Sequence, residues 1–295
     1  MKISHLKVNG VKAPLGYRFD YLTFSWRLEG QLEPLEECSV EISKSETFAE
    51  ILWSGTTKSS FNTISTNANF LEPKTKYYWR VCFGKIEAIS TFETSKMNEP
   101  WEAKWLSYKE ETKESISFVK KFSFLKKIKQ ARLYTVAHGL YEVYINGVKL
   151  GDEYLTPGYH SYDLLQQYQT YDVTDFLIED TEVSFIVGNG WYRGRFIFEG
   201  GFENIYGNKQ QLIAELQVEY TDGTWERFGS DETWLVETNC IQENSIYDGE
   251  IIDFTYEKNV LTTEVIDGNT ALLTPRLDLP VEVVEEFSPR IFFDT

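Results

Sequence analysis

The sequence predicts an all-β chain, on three observations. Short runs alternate apolar and polar residues along its length, which is the period of a half-buried strand. Asn146-Gly147 and Asp222-Gly223 each separate two such runs. Two-residue hairpin turns select these pairs, because Asn, Asp and Gly tolerate φ > 0. No stretch sustains a 3.6-residue apolar period, so helix is a minor component and Asp175 to Glu179 is at most one helical turn. An aromatic fraction of 16% within a hydrophobic fraction of 42% over 295 residues suits packed sheets and argues against disorder.

The first region, 1–97, reads as a β-sandwich. Its strands are Leu22–Arg27, Glu37–Ile42, Tyr77–Phe83 and Ile89–Thr94, separated by turn signals. Cys82 falls in an apolar run and reads as core. The stretch Leu71-Glu72-Pro73-Lys74-Thr75-Lys76-Tyr77-Tyr78-Trp79-Arg80-Val81 resembles the L-x-P-x-T-x-Y-x-W-R-V of fibronectin type III domains. That resemblance implies a fibronectin type III-like sandwich, with Tyr77 bonding back to the upstream backbone as a tyrosine corner. The region packs and spaces, and it shows no chemistry. Met97-Asn98-Glu99-Pro100 is a polar, Pro-containing boundary.

The second region, 98–260, contributes strands at Phe118–Phe124, Ala131–Val136, Leu140–Ile145 and Thr181–Val187. Leu212–Tyr220 then alternates over nine residues and turns into Thr224–Phe228. The basic cluster Lys120, Lys121, Lys126, Lys127 and Lys129 reads as the solvated face of an edge strand, where lysine discourages pairing between edges. The third region, 261–295, reads as a linker and the start of a further β-domain. It runs through Val281–Phe287 to Pro289-Arg290-Ile291-Phe292-Phe293, and stopping there implies a fragment cut at a domain boundary.

Four motifs follow one another in the second region. They are Leu140-Tyr141-Glu142-Val143-Tyr144-Ile145-Asn146-Gly147, the segment Tyr168-Gln169-Thr170-Tyr171-Asp172-Val173-Thr174, the loop Gly188-Asn189-Gly190-Trp191-Tyr192-Arg193-Gly194-Arg195, and Tyr247-Asp248-Gly249-Glu250. In this order they resemble the N-terminal β-domains of bacterial α-L-rhamnosidases, from about Trp101 to the end. The resemblance implies a jelly-roll-like, galactose-binding-like sandwich. It also implies a parent glycoside hydrolase that removes terminal L-rhamnose with inversion, through a carboxylate pair. The family carries that pair on a helical catalytic barrel. No residue here matches the barrel, so no catalytic residue is assigned. The implied partners are that C-terminal barrel and a rhamnose-containing glycan.

The Gly-rich loop holds the candidate sugar-binding residues Asn189, Trp191, Tyr192, Arg193 and Arg195. Flat rings and forked guanidinium donors on such a loop can stack on and hydrogen-bond a sugar. On the structural reading, Trp191 caps the sandwich core and Arg193 pairs with a buried carboxylate, Asp248 or Glu250. Three roles stay open for the loop: structural support, domain contact and sugar binding. Asn146, Gly147, Asp248 and Glu250 form a structural motif set.

His5, His138 and His160 lack metal-ligand spacing. His138 reads as a packed or hydrogen-bonded loop residue. His160 lies in Pro157-Gly158-Tyr159-His160-Ser161-Tyr162-Asp163, where the family pattern is P-G-W-T-D-Y. If that loop serves packing, the change is harmless; if it binds sugar, the change bears on specificity. Sugar-binding sandwiches of this type often hold calcium. No D-x-[DN]-x-[DN]-G loop occurs, so no calcium ligand and no other cofactor is assigned. No G-x-S-x-G elbow occurs, and Gly188-Asn189-Gly190 lacks the helix and Lys-Ser/Thr of a phosphate loop.

The formal net charge of −17 disfavours nucleic acid and anionic membrane as partners. Three scattered cysteines spell neither a disulfide framework nor a zinc site. The N-terminus lacks an apolar signal core and no apolar run reaches membrane-spanning length, which places the chain in the cytoplasm by default, a secreted parent staying open. The rival readings are a stand-alone carbohydrate-binding module and a structural or adhesive β-domain protein.

Overall fold

The computed structural model describes residues 2–30, 37–197 and 200–288. The Ile291-Phe292-Phe293 run and the rest of 289–295 lie outside the described residues. The first unit comprises β1 (Lys2–Val8), β2 (Leu15–Tyr17), β3 (Tyr21–Glu29), β4 (Glu37–Ser43), β5 (Trp53–Lys58), β6 (Thr63–Asn67), β7 (Lys76–Phe83) and β8 (Ile86–Thr94). A five-stranded sheet, in order β2-β8-β7-β4-β5, faces a three-stranded sheet, β1-β3-β6. Alternation sets what is buried. Leu22, Phe24, Trp26 and Leu28 of β3 point inward against Val40 and Ile42 of β4 and Tyr77, Trp79 and Val81 of β7. Tyr77 stacks on Phe92 at 5.1 Å between ring centroids, and its hydroxyl accepts the Glu72 N–H at 2.7 Å. Cys82 is not core. Its place between Val81 and Phe83 turns it to the outer face, and the buried cysteine is Cys38 on β4.

The second unit comprises β9 (Trp105–Tyr108), β10 (Ile116–Ser123), β11 (Ile128–His138), β12 (Leu140–Ile145), β13 (Val148–Lys149), β14 (Gln166–Asp172), β15 (Asp180–Gly188) and the single turn α1 (Gly190–Arg193). It continues with β16 (Gln211–Tyr220), β17 (Trp225–Gly229), β18 (Leu235–Thr238), β19 (Ile241–Ser245), β20 (Gly249–Ile252), β21 (Val260–Leu261), β22 (Thr263–Ile266) and β23 (Leu273–Pro275). One sheet runs β13-β12-β15-β10-β18-β21. The other runs β22-β9-β16-β11-β14-β23, with β17 also on β16. Between them lies a core of Phe118, Val143, Ile145, Phe185, Val187, Leu133, Leu212, Leu216 and Val218. The β12–β13 turn has φ 51° at Asn146 and 78° at Gly147.

Two expectations change here. β10 is not an edge strand, since Ile116–Val119 pair with β15 on one side and β18 on the other. The lysines follow where β18 ends, and Lys121, Lys126 and Lys129 pair with Glu182, Asp222 and Glu219. The stretch from Leu261 is not yet a linker, because β22 pairs with β9 and β23 runs parallel to β14, completing the second sandwich.

β16 is buried on both faces, although its sequence alternates. Leu212, Ala214, Leu216 and Val218 face the sandwich core. Ile213 faces a second cluster with Ala103, Trp105, Tyr134 and Tyr168. Glu215, on that outer face, meets Lys96 from the segment after β8. The two side chains are 0% exposed, with 2.7 Å between Nζ and Oε1. The Glu215 carboxylate also accepts the Glu102 N–H at 2.7 Å and the Gln217 amide at 2.8 Å. Lys96 donates to the Pro100 carbonyl at 3.3 Å and sits 4.0 Å above the Trp101 ring. Burial works to raise the Glu215 carboxyl, and the Lys96 ammonium and these donors outweigh it, so the group is held below the usual carboxylate range. A second ion pair crosses the same seam. Arg132 of β11 grips Glu93 of β8 with two bonds, 2.7 Å and 2.8 Å, and also contacts Asp172 at 2.7 Å. The polar boundary at 97–100 is thus flanked by buried charge pairs joining the two sandwiches.

Candidate functional site

The candidate loop leaves β15 where its ladder to β12 ends, at Gly188 opposite Leu140. Gly190 lets the chain turn. Its φ is +52°, and an added Cβ would lie 2.8 Å from the Leu140 side chain. One helical turn, α1, follows, and the chain then doubles back. Asn204 N–H donates to the Arg193 carbonyl at 2.9 Å, and Phe196 and Phe202 exchange backbone bonds at 2.8 Å and 3.1 Å.

Asn189 ties the loop to β19 and to Gln210, the residue before β16. Its N–H donates to Asn244 Oδ1 at 2.6 Å, its amide donates to the Asn244 carbonyl at 3.2 Å, and its Oδ1 accepts from Gln210 at 2.9 Å. Tyr192 is the ring that enters the fold. It stacks on His138 with centroids 4.4 Å apart, and Trp105 lies 4.3 Å from His138 on the same ring system. The His138 ring nitrogens bond Gln211 at 2.6 Å and Gln166 at 3.0 Å, and burial lowers its pKa. His138 therefore ends β11 as a packed, bonded residue. His160 is also buried, and burial pushes it down to about 4.

Trp191 does not cap the core. It is half-buried and meets the exposed Tyr159 edge-on at 5.9 Å, because α1 turns Tyr192 inward in its place. Arg193 does not pair with Asp248 or Glu250. It donates to neutral acceptors, namely Gln210 Oε1 at 3.0 Å, Tyr108 Oη at 3.4 Å and the Thr112 carbonyl. Arg195 holds Asp248 instead. Nη2 reaches its two oxygens at 2.7 Å and 2.9 Å, and Nε bonds at 3.2 Å. The guanidinium lies 5.0 Å from the Tyr247 ring centroid. The Arg195 bonds, with one from Ser245, hold the Asp248 carboxyl below its ordinary value. Glu250 is exposed and lines a separate, more apolar groove of about 330 Å³ with Leu140, Tyr154, Leu155 and Ile186.

Between the loop and the β19–β20 hairpin lies a cleft of about 490 Å³. Asn189, Arg193, Arg195 and Asp248 line it, and Trp191 and Tyr192 do not. Lys113, Glu203, Asn204, Glu243, Asn244 and the exposed Ile251 are also in its walls. The motif could not single these residues out, because they come from segments brought together only by the fold. Among the described residues, no group of three or more His, Cys, Asp or Glu side chains is placed to hold a metal ion.

Residues 126–291 match the family described as alpha-L-rhamnosidase N-terminal domain, and residues 3–99 match a Rha78A-like, N-terminal immunoglobulin domain. An alpha-L-rhamnosidase of Alteromonas sp. (strain LOR) is 27% identical across 99% of this chain and 36% of its own length. One from Formosa agariphila is 30% identical across 89% of this chain and 31% of its own length. The solved structure of alpha-L-rhamnosidase from Dictyoglumus thermophilum superposes with a TM-score of 0.80 at 28% identity, over 97% of this chain and 36% of that one. The chain therefore spans about a third of the length of these relatives. With an immunoglobulin-like sandwich preceding the matched domain, this chain belongs to the alpha-L-rhamnosidase N-terminal domain family.

Proposed function

We propose that this chain is the accessory N-terminal region of an α-L-rhamnosidase-like inverting glycoside hydrolase acting on terminal α-L-rhamnosyl residues. One observation carries the reading: nearly the whole chain aligns with about a third of proteins named alpha-L-rhamnosidase. On this reading the catalytic carboxylates belong to a barrel in the remaining part of such a protein, and the sandwiches position and shape it. The loop supports that accessory role, since Asn189, Arg193 and Arg195 spend their donors on neighbouring segments of the same domain.

We read the first sandwich more finely as fibronectin type III-like, supported by the bond from Glu72 N–H to Tyr77. The second we read as jelly-roll-like. We place their junction at 97–98 and extend the second unit through Pro275, where β23 ends.

The test is turnover of an aryl α-L-rhamnoside. Residues 1–295 alone are expected to give none. Turnover that survives purification, and that disappears on mutating an acidic residue within this chain, would overturn the accessory reading.

A further inference from the structure

We propose that His160 is an acid-released pin: it holds the 157–163 segment against β14, and protonating it frees that segment together with the 188–206 loop that the segment braces.

The setting of the ring carries this. His160 is 2% exposed. Its Nε2 accepts the Gln167 N–H at 3.3 Å, so the neutral ring carries its hydrogen on Nδ1. Nδ1 is buried and has no hydrogen-bond partner among the described residues. A second proton has one lone pair to take, that of Nε2, and there it would face the Gln167 N–H donor to donor. Gln167 is itself 4% exposed, so neither donor can turn to water in place. A charged ring therefore has to leave. His138 differs. Its nitrogens face Oε1 of Gln211 and Oε1 of Gln166, and the Gln166 amide is oriented by donating to the Tyr162 carbonyl at 2.9 Å. Taking up a proton costs His138 no hydrogen bond.

Three titratable groups face His160. They are Asp278 of the segment after β23, His138 of β11 and Tyr162 of its own segment. From β14 it meets the neutral Gln167. Asp278 favours the charged ring, but its carboxylate is bonded to the Gln167 amide at 2.5 Å, and burial of the ring outweighs it. A charged His138 would oppose a second charge beside it.

The residues flanking the pin brace the loop. Tyr159 meets Trp191 at 5.9 Å and Phe196 at 5.8 Å between ring centroids, and its hydroxyl lies 3.0 Å from that of Tyr206. Tyr162 meets Tyr192 and Tyr206, each at 5.0 Å. When the His160 ring leaves, its segment moves and these contacts go with it. The sign follows from the proton balance. The closed ring is held at about 4, and a ring released to water returns to about 6.5. Between these values the open form binds a proton that the closed form refuses. The closed form is therefore at full strength above about pH 6.5 and loses ground as pH falls towards about 4.

The experiment follows amide exchange and histidine ring resonances of isotope-labelled chain, residues 1–295, across that pH window. The reporting amides are Gln167, Leu165 and Asn204, bonded to His160, Ser161 and Arg193. Leu133 and Leu216, paired in the β11–β16 ladder, serve as the reference. Protection of the three reporters is expected to fall about tenfold or more between about pH 6.5 and about pH 4, with the reference unchanged. His160→Gln offers the Gln167 N–H an amide oxygen and cannot titrate, so its reporters are expected to stay protected. Equal loss in His160→Gln, or equal loss at Leu133 and Leu216, would overturn the proposal. If His160→Gln does not fold, the parent's ring decides. A His160 ring that becomes charged near about 6.5 while the reporters stay protected overturns the proposal. Loss of protection without charging of the folded ring, down to about pH 4, upholds it.

Discussion

Arg132–Glu93 and Arg195–Asp248 are the same chemical pair, each a guanidinium gripping one carboxylate with two or more bonds. Their surroundings differ. In the first, the side chains are 10% and 8% exposed and lie in the seam between the sandwiches. In the second, Asp248 is 63% exposed at the mouth of a cleft. Water can replace Asp248 as a partner, but it cannot readily reach Glu93. A desolvated pair therefore costs much to break, although forming it stabilises little over an apolar pair of the same shape. An exposed pair costs little either way. The seam thus fixes how the two sandwiches sit, and the loop pair sets only local shape.

The largest effect is expected at the seam. Glu215→Ala would strand the buried Lys96 ammonium and free the Glu102 N–H and the Gln217 amide. Breaking one side of such a pair costs roughly 3–5 kcal/mol, read by chemical denaturation. Replacing both partners, as Lys96→Met with Glu215→Leu, should recover most of that loss. The acid limb sharpens the point. The Glu215 carboxyl is lowered in the folded chain, so its contribution is complete above the unfolded value near about 4.3. It disappears as pH falls through the lower folded value. Glu215→Gln should therefore lose stability less steeply below about pH 4 than the parent. Equal acid limbs would contradict the assignment.

Arg193→Ala comes next. It removes charged donors from three neutral acceptors, a loss of about 1.5–3 kcal/mol for one such bond. A melting temperature matching the parent would show that the loop stands without it. Gly147→Val should cost on the order of 1–3 kcal/mol, because φ there is 78°. No heavy atom lies within 4 Å of the added Cβ, so backbone strain is the main cost. A stable Val variant would break that account. The smallest effect is expected for Asp248→Ala, with no resolvable change in melting temperature at neutral pH.

The sequence made one half of this comparison more legible than the other. Local signals carried the strands: alternation in Leu140–Ile145, the Asn146-Gly147 turn, and Tyr77 before Trp79. The Gly-rich motif marked the right loop, but not its wiring. Arg193 and Arg195 are two residues apart, and only the turn of α1 decides which one reaches Asp248. Trp191 and Tyr192 are adjacent, and the same turn sends Tyr192 onto His138. The seam was illegible, because Glu215 and Gln217 alternate as a solvent face would. Only the docking of the first sandwich, 119 residues away in the case of Lys96 and Glu215, buries them. The alternating pattern records a strand's two faces without recording what covers the outer one.

The central claim is that the buried charge pairs make the two sandwiches one cooperative body. Calorimetric unfolding tests it directly, on residues 1–295 beside a chain carrying Glu215→Ala and Arg132→Ala. The account predicts a single transition for the parent, with calorimetric and van't Hoff enthalpies equal. It predicts two resolved transitions for the variant, as each sandwich unfolds alone. Two transitions in the parent, or one shared transition in the variant, would contradict it.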